Sequence, residues 1–241
     1  MPSVKVNDIT MYYEIHGEGE PVVLIAGLNS DHTFYQKLGT IARLAERYQV
    51  VVFDNRGVGQ TDKPDIPYSI EMMADDTVGL LNALGIEQAH MLGTSMGGRI
   101  ATAIALQSPR QVKSLILVST IVKSLKGTPM TWARRRMNLM LKIPMIRGPH
   151  PYYVVARQLE ASRTYDCMDR LNEIHVPTLI LHGKNDKSAP YPLAEAMHAG
   201  IKDSKMLTFP GGHLFFIMRQ KQFLEAIENF WGSINTSPEQ E

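Results

Sequence analysis

Apolar positions along this chain switch repeatedly between two spacings, and the switches mark its elements. Over residues 2 to 16, Val4, Val6, Ile9, Met11, Tyr13 and Ile15 fall at or near alternate positions. That spacing predicts strands, and Asn7-Asp8 supplies a turn between them, so the segment reads as an antiparallel hairpin. Residues 21 to 26 and 49 to 53 are near-continuous apolar runs, the pattern of strands covered on both faces. Between them Phe34, Leu38, Ile41, Leu44 and Ala45 recur at helical spacing over residues 31 to 47. A helix is predicted over residues 69 to 84, with Ser69 as its cap, Met72, Met73, Val78, Leu81 and Leu84 facing inward, and Gly85 ending it. Strands are predicted at 88–92, 112–118, 176–182 and 204–209, and helices at 96–107, 190–199 and 214–232. A hairpin followed by repeated strand–helix units makes an α/β fold, with a mostly parallel central sheet and helices on both faces.

One segment breaks this rhythm. From about residue 121 to 170 there is no strand candidate, but a run of Met130, Trp132, Met137, Leu139, Met140, Leu141, Ile143, Met145 and Ile146, then Tyr152, Tyr153 and Val154. Pro144, Pro149 and Pro151 interrupt it. An insertion of this length inside a compact domain usually serves function. It reads as a short helical cap inserted late in the sheet, over one of its ends. Its methionines suit varied apolar partners, and some of them simply pack the cap onto the core. With no repeat, linker or low-complexity tract, residues 1 to 241 read as one domain, with a frayed polar tail after Ser233.

Composition narrows the function classes. A chain of 241 residues, 44% hydrophobic and 20% charged, suits one globular domain with a sizeable core. With 25 basic and 24 acidic side chains the net charge is +1, which makes no electrostatic case for nucleic acid or an anionic membrane surface. Arg134-Arg135-Arg136 reads as the wet face of a helix. The single cysteine, Cys167, excludes an internal disulfide and any metal site built on paired cysteines. The N-terminal residues lack a signal-peptide pattern, and no segment reaches the roughly 18 apolar residues that span a bilayer. The expectation is a cytoplasmic protein, monomeric or homodimeric, with no membrane or nucleic-acid partner.

The chemistry is carried by Gly93-Thr94-Ser95-Met96-Gly97, a G-x-S-x-G sequence between a predicted strand and a predicted helix. In such a nucleophile elbow a serine sits on a sharp turn, with small residues on either side where strand and helix backbones approach. The same peptide also reads as an ordinary strand-to-helix turn, so the remaining loops decide. A serine hydroxyl needs a base, usually histidine, oriented by a carboxylate. Parallel α/β sheets present such groups on loops at the strand C-termini. After strand 176–182, Asp186 is the only carboxylate of its loop; after strand 204–209, His213 is the only histidine. Ser95, Asp186 and His213 follow in the chain order that goes with the elbow. His90, His175 and His182 sit in or beside strands and read as core or edge residues. His32 is a candidate for the pocket mouth. Asp54 competes as the acid, but Asp54-Asn55-Arg56-Gly57-Val58-Gly59 reads as a structural turn in which Asp54 and Arg56 bond loop backbone. Acyl transfer also needs two donors for the oxyanion. The backbone N–H groups of Met96 and Leu28 are expected there, with Gly27 allowing close approach. Gly27, Asn29, Trp132, Met137, Met140 and Leu214 are the substrate-binding residues expected around them.

These pieces resemble the α/β-hydrolase fold of compact, single-cap enzymes. The resemblance rests on Gly27-Leu28-Asn29-Ser30, on Phe53-Asp54-Asn55-Arg56-Gly57-Val58-Gly59-Gln60-Thr61-Asp62-Lys63-Pro64, on Gly93 to Gly98, on His182-Gly183-Lys184-Asn185-Asp186, and on Gly211-Gly212-His213. They run in family order along nearly the whole chain, as in bacterial and archaeal carboxylesterases and 3-oxoadipate enol-lactonases. Two departures stand out. Ala26 occupies the place where many relatives carry a histidine, and the cap is shorter than in many of them. Serine rather than aspartate at the elbow implies an acyl-enzyme, unlike the dehalogenases and epoxide hydrolases of this fold. The resemblance implies a serine hydrolase acting on a carboxylic ester, with no metal and no organic cofactor. The cap's apolar positions imply a modest substrate without fixed charge. An enol-lactone hydrolase is the nearest alternative and would need a cation for its substrate's carboxylate, from Arg134, Arg135, Arg136, Arg157 or Arg163. A C–C bond hydrolase or a perhydrolase would use the same triad, and a small-molecule receptor would keep the fold but signal through a partner.

Overall fold

The computed structural model describes residues 2 to 127, 139, 142 to 143 and 150 to 235. Eight strands form one sheet in the order β1-β2-β4-β3-β5-β6-β7-β8. They are β1 (Ser3–Val6), β2 (Ile9–His16), β3 (Glu20–Ile25), β4 (Tyr48–Phe53), β5 (Ala89–Thr94), β6 (Val112–Val118), β7 (Thr178–Gly183) and β8 (Lys205–Phe209). β1 pairs β2 and β2 pairs β4 antiparallel; the remaining pairings are parallel. The hairpin and the parallel sheet are therefore those the hydrophobic pattern predicts.

The near-continuous apolar runs have a simple cause. Successive strand residues point to opposite faces, and both faces are covered. Val23, Ile25, Val51, Phe53, Met91, Leu115, Leu117 and Ile180 enter one core, beneath α3 (Ile70–Ala83) and α4 (Met96–Gln107). Val22, Leu24, Val50, Val52, Leu92, Ile116, Val118 and Leu181 enter the other. This second core lies against α1 (Thr33–Lys37), α2 (Thr40–Leu44), α7 (Phe215–Met218) and α8 (Gln220–Asn235). Its largest side chain is Trp231, fully buried beside Tyr48 and His90. α5 (Tyr152–Thr164) precedes β7, and α6 (Tyr191–Gly200) joins β7 to β8.

Two predicted helices are each split. The span 31 to 47 breaks at Gly39, whose φ of 63° is left-handed and ends one helix before the next begins. The span 214 to 232 breaks at Arg219, with φ −120° and ψ 32°, between α7 and α8. In α3, Ser69 caps as expected, accepting from the Met72 N–H at 3.0 Å. Its buried residues are Ile70, Met73, Ala74, Asp76, Thr77, Leu80 and Leu81, so Met72, Val78 and Leu84 lie at the margin rather than at the centre. Of the segment that breaks the rhythm, the described part carries α5 and no strand. Among the described residues no helix is long and apolar enough to cross a membrane.

Candidate active site

The sheet order reverses at β3: the chain reaches β4 on one side of it and β5 on the other. Such a switch point opens a crevice at the strand C-termini, where loops diverge to opposite faces. The loop after β3 carries Gly27-Leu28-Asn29, and the turn after β5 carries Ser95.

Ser95 sits between β5 and α4 with φ 56° and ψ −113°, a strained conformation for a residue with a side chain. Its surroundings hold it there. Its N–H donates to the Val118 carbonyl at 2.8 Å, and its carbonyl accepts from the Thr120 hydroxyl at 2.7 Å. The small neighbours are required by packing: a Cβ on Gly97 would overlap the Ile25 carbonyl, and one on Gly93 would overlap that of Gly97. A Cβ on Gly27 would stand 3.3 Å from the Ser95 Cβ, so the loop after β3 passes directly beside the serine.

The loops after β7 and β8 are stitched together, with the Lys184 N–H on the Phe209 carbonyl at 2.9 Å and the Asn185 N–H on the Gly211 carbonyl at 2.8 Å. This brings Asp186 to His213. The Asp186 Oδ2 lies 2.7 Å from His213 Nδ1, and His213 Nε2 lies 3.0 Å from the Ser95 Oγ. The other carboxylate oxygen of Asp186 accepts from the N–H groups of Ser188 at 2.7 Å and Ala189 at 2.9 Å. The Asp186 carboxylate is buried, whereas the His213 ring is 24% exposed. The Ser119 hydroxyl donates to the His213 carbonyl at 2.8 Å and fixes its backbone. A carboxylate, an imidazole and a hydroxyl thus form one hydrogen-bonded chain, able to draw a proton from the serine.

This chain opens on a cavity of about 320 Å³, lined in part by Gly27, Leu28, Asn29, Ser95, Met96, His213 and Leu214. Met96 is the first residue of α4, where the backbone N–H has no carbonyl one turn back. The Asn29 N–H is engaged by the Gln158 side chain at 3.0 Å. Leu28 and Met96, the residues expected to donate to an oxyanion, both line the cavity with Ser95. Trp132, Met137 and Met140 lie outside the described residues, as do Arg134, Arg135 and Arg136.

Asp54 is fully buried, and its carboxylate accepts from the backbone N–H groups of His32 and Gln60, each at 2.7 Å. It also meets His32 Nδ1 at 2.8 Å. Asp54 therefore braces the loops after β3 and β4, as its turn suggests. His32 is spent on this bond and is not among the residues that line the cavity. Arg56 departs from expectation. Its guanidinium meets Asp76 at 2.8 Å and Asp8 at 2.7 Å rather than loop backbone, because two acids from distant elements converge on it. His182 is buried behind Asp186 and bonds the Ala189 carbonyl at 2.9 Å; burial lowers its pKa. Among the described residues no three His, Cys, Asp or Glu side chains converge as a metal ion would need.

Two contributors carry no signal in the sequence. Gln158, fully buried on α5, accepts from the Asn29 N–H and donates to the Arg56 carbonyl at 2.9 Å. It ties the loop after β3 to α5, about 130 residues away in sequence. Arg99, one turn into α4, lines the cavity and donates to the carbonyls of Tyr165 at 3.3 Å and Lys123 at 3.5 Å.

Comparison with known proteins shows the family of this fold. The family model of the alpha/beta hydrolase fold matches residues 20 to 146, and a serine hydrolase model matches residues 90 to 227. A putative carbamate hydrolase, RutD, of Azorhizobium caulinodans is 29% identical, with 98% of this chain and all of that protein covered. Among solved structures, a thermophilic esterase from Thermogutta terrifontis superposes with a TM-score of 0.83 at 26% identity, covering 98% of this chain and 100% of that one. The enol-lactonase from Burkholderia xenovorans superposes with a TM-score of 0.84 at 24% identity, over 96% of this chain and 100% of that one.

Proposed function

The chain belongs to the α/β-hydrolase family and is a hydrolase, and from that premise we propose that it cleaves carboxylic esters through an acyl-enzyme. The observation that carries this reading is the unbroken hydrogen-bonded chain Asp186–His213–Ser95, whose Ser95 and His213 line the cavity. Ser95 Oγ attacks the ester carbonyl while His213 Nε2 takes its proton. The oxyanion is held by the N–H groups of Met96 and Leu28. His213 then gives its proton to the departing alcohol as the carbonyl re-forms. Water, deprotonated by His213, attacks the acyl-serine; as the carbonyl re-forms, His213 returns the proton to the departing Ser95 Oγ, and the products are one acid and one alcohol. Asp186 keeps the imidazole in the required tautomer and supports its charge.

The test is hydrolysis of p-nitrophenyl esters, from acetate to long acyl chains, by wild type and by Ser95→Ala. Turnover by wild type, with a loss of at least about a thousandfold in the folded variant, is expected. A Ser95→Ala enzyme that retains more than that thousandth part would exclude Ser95 as the nucleophile. A well-folded wild type that turns over none of the series would exclude simple esters.

A further inference from the structure

The wall of the cavity is not only apolar. Arg163, in the last turn of α5, lines it together with Arg99, and none of its described lining residues is an aspartate or glutamate. The backbone of Arg163 is pinned, since its carbonyl accepts from the Leu125 N–H at 2.9 Å and from the Ser124 hydroxyl at 3.2 Å. The residue is half-buried, and among the described residues its guanidinium gives no hydrogen bond and forms no ion pair. Arg157, one and a half turns earlier on the same helix, is different: it is held outside the cavity by Asp65 at 3.1 Å. Arg99 is buried and its Nη1 donates to two carbonyls, which fixes its charge in the cavity wall.

The sequence sharpens this asymmetry. No aspartate or glutamate occurs between Gln88 and Leu159, a stretch that holds eleven lysines and arginines. It includes the serine turn, α4 and the segment leading into α5. That segment has no carboxylate to offer Arg163. In a partly water-excluded cavity the attraction between a cation and an anion is far stronger than in bulk water. A guanidinium without a partner is then best satisfied by a ligand's carboxylate, which it can meet with two parallel bonds.

We propose that the cavity takes an ester or lactone that carries a carboxylate, bound through the guanidinium of Arg163 with the charge of Arg99 behind it; this rests on the serine-hydrolase reading above. Of the arginines that the sequence offers for such a carboxylate, Arg163 is the one that lines the cavity among the described residues.

The experiment compares kcat/KM for two matched pairs of esters. One pair bears the charge in the acyl part: the mono-p-nitrophenyl ester of adipic acid against p-nitrophenyl hexanoate. The other bears it in the alcohol part: the acetate ester of p-hydroxybenzoate against that of p-hydroxybenzamide. Arg163→Gln is expected to lower the charged-to-neutral ratio roughly tenfold or more in one pair. Arg163→Lys retains part of the ratio, and added salt lowers it in wild type. Arg157→Gln removes the same charge from the same helix and leaves the ratio in place. Arg163→Met gives the same comparison should Arg163→Gln not fold. A ratio that Arg163→Gln leaves unchanged in both pairs, or that Arg157→Gln lowers as much, overturns the proposal. If wild type turns over none of the four esters, the hydrolase reading is what has failed. Calorimetric titration of adipate into Ser95→Ala, with and without Arg163→Gln, then decides the anion site: weaker binding without the arginine supports it, and equal or absent binding overturns it.

Discussion

Ser95 holds a positive φ of 56° that its side chain disfavours, and its neighbours' hydrogen bonds keep it there. The strain aims the hydroxyl at His213. If Asp186 only orients and supports the imidazole, its loss costs less than loss of the base. His213→Ala is expected to lower kcat by about a millionfold and Asp186→Asn by about ten-thousandfold; Asp54→Asn proving the more damaging carboxylate change in a folded protein would refute the assignment of Asp186. Gln158→Leu removes the acceptor that holds the Asn29 N–H and the donor on the Arg56 carbonyl. It is expected to lower kcat roughly tenfold with little change in KM, because the loop after β3, beside Ser95, loses its brace while the cavity keeps its wall. An unchanged kcat would mean the loop holds itself. The serine, aspartate and histidine were legible in the sequence because each is the only residue of its type in a loop that a parallel sheet sends to the same edge. Gln158 was not, because a single polar residue on a helix says nothing about which backbone it will meet.

At the scale of elements, the junction of β3, β5 and α4 is the least tolerant part. Gly97→Ala places a Cβ against the Ile25 carbonyl, which belongs to the neighbouring strand and cannot move alone. Overpacking of about 1–3 kcal/mol is expected, read as a lowered melting temperature and a displaced serine with reduced turnover. On the opposite face Trp231 anchors α8, with its indole N–H on the Ser114 hydroxyl at 3.2 Å. Trp231→Ala should cost about 3–5 kcal/mol in a denaturant titration. Both strand runs and helix spacing announced these elements. The two breaks, at Gly39 and Arg219, were masked because apolar residues keep helical spacing through a turn that only backbone dihedrals reveal.

For the whole molecule, acid is the predictable weakness. His90 and His182 are both fully buried, and burial lowers the pKa of each, partly opposed by Glu20 at His90 and by the Ala189 carbonyl at His182. As pH falls through about 6.5, the unfolded chain takes up protons that the folded chain refuses, so the unfolded state gains. The melting temperature should therefore fall between about pH 7 and pH 5, and His182→Gln should shallow the fall; a wild-type melting temperature that stays flat across that range would discard this. The α/β architecture, the order of its strands and the three residues of the serine–histidine–aspartate chain followed from the sequence alone, because spacing and loop position are local properties; the likeness to α/β-hydrolases followed from its motifs. The enclosure of Asp186, the bracing of the loop after β3 by Gln158 and the place of Arg163 in the cavity wall, without an ion-pair partner among the described residues, were decided only by the tertiary structure. Each depends on residues distant in the chain meeting in one volume, and on which charges find partners there, and neither is written in the order of residues along the chain.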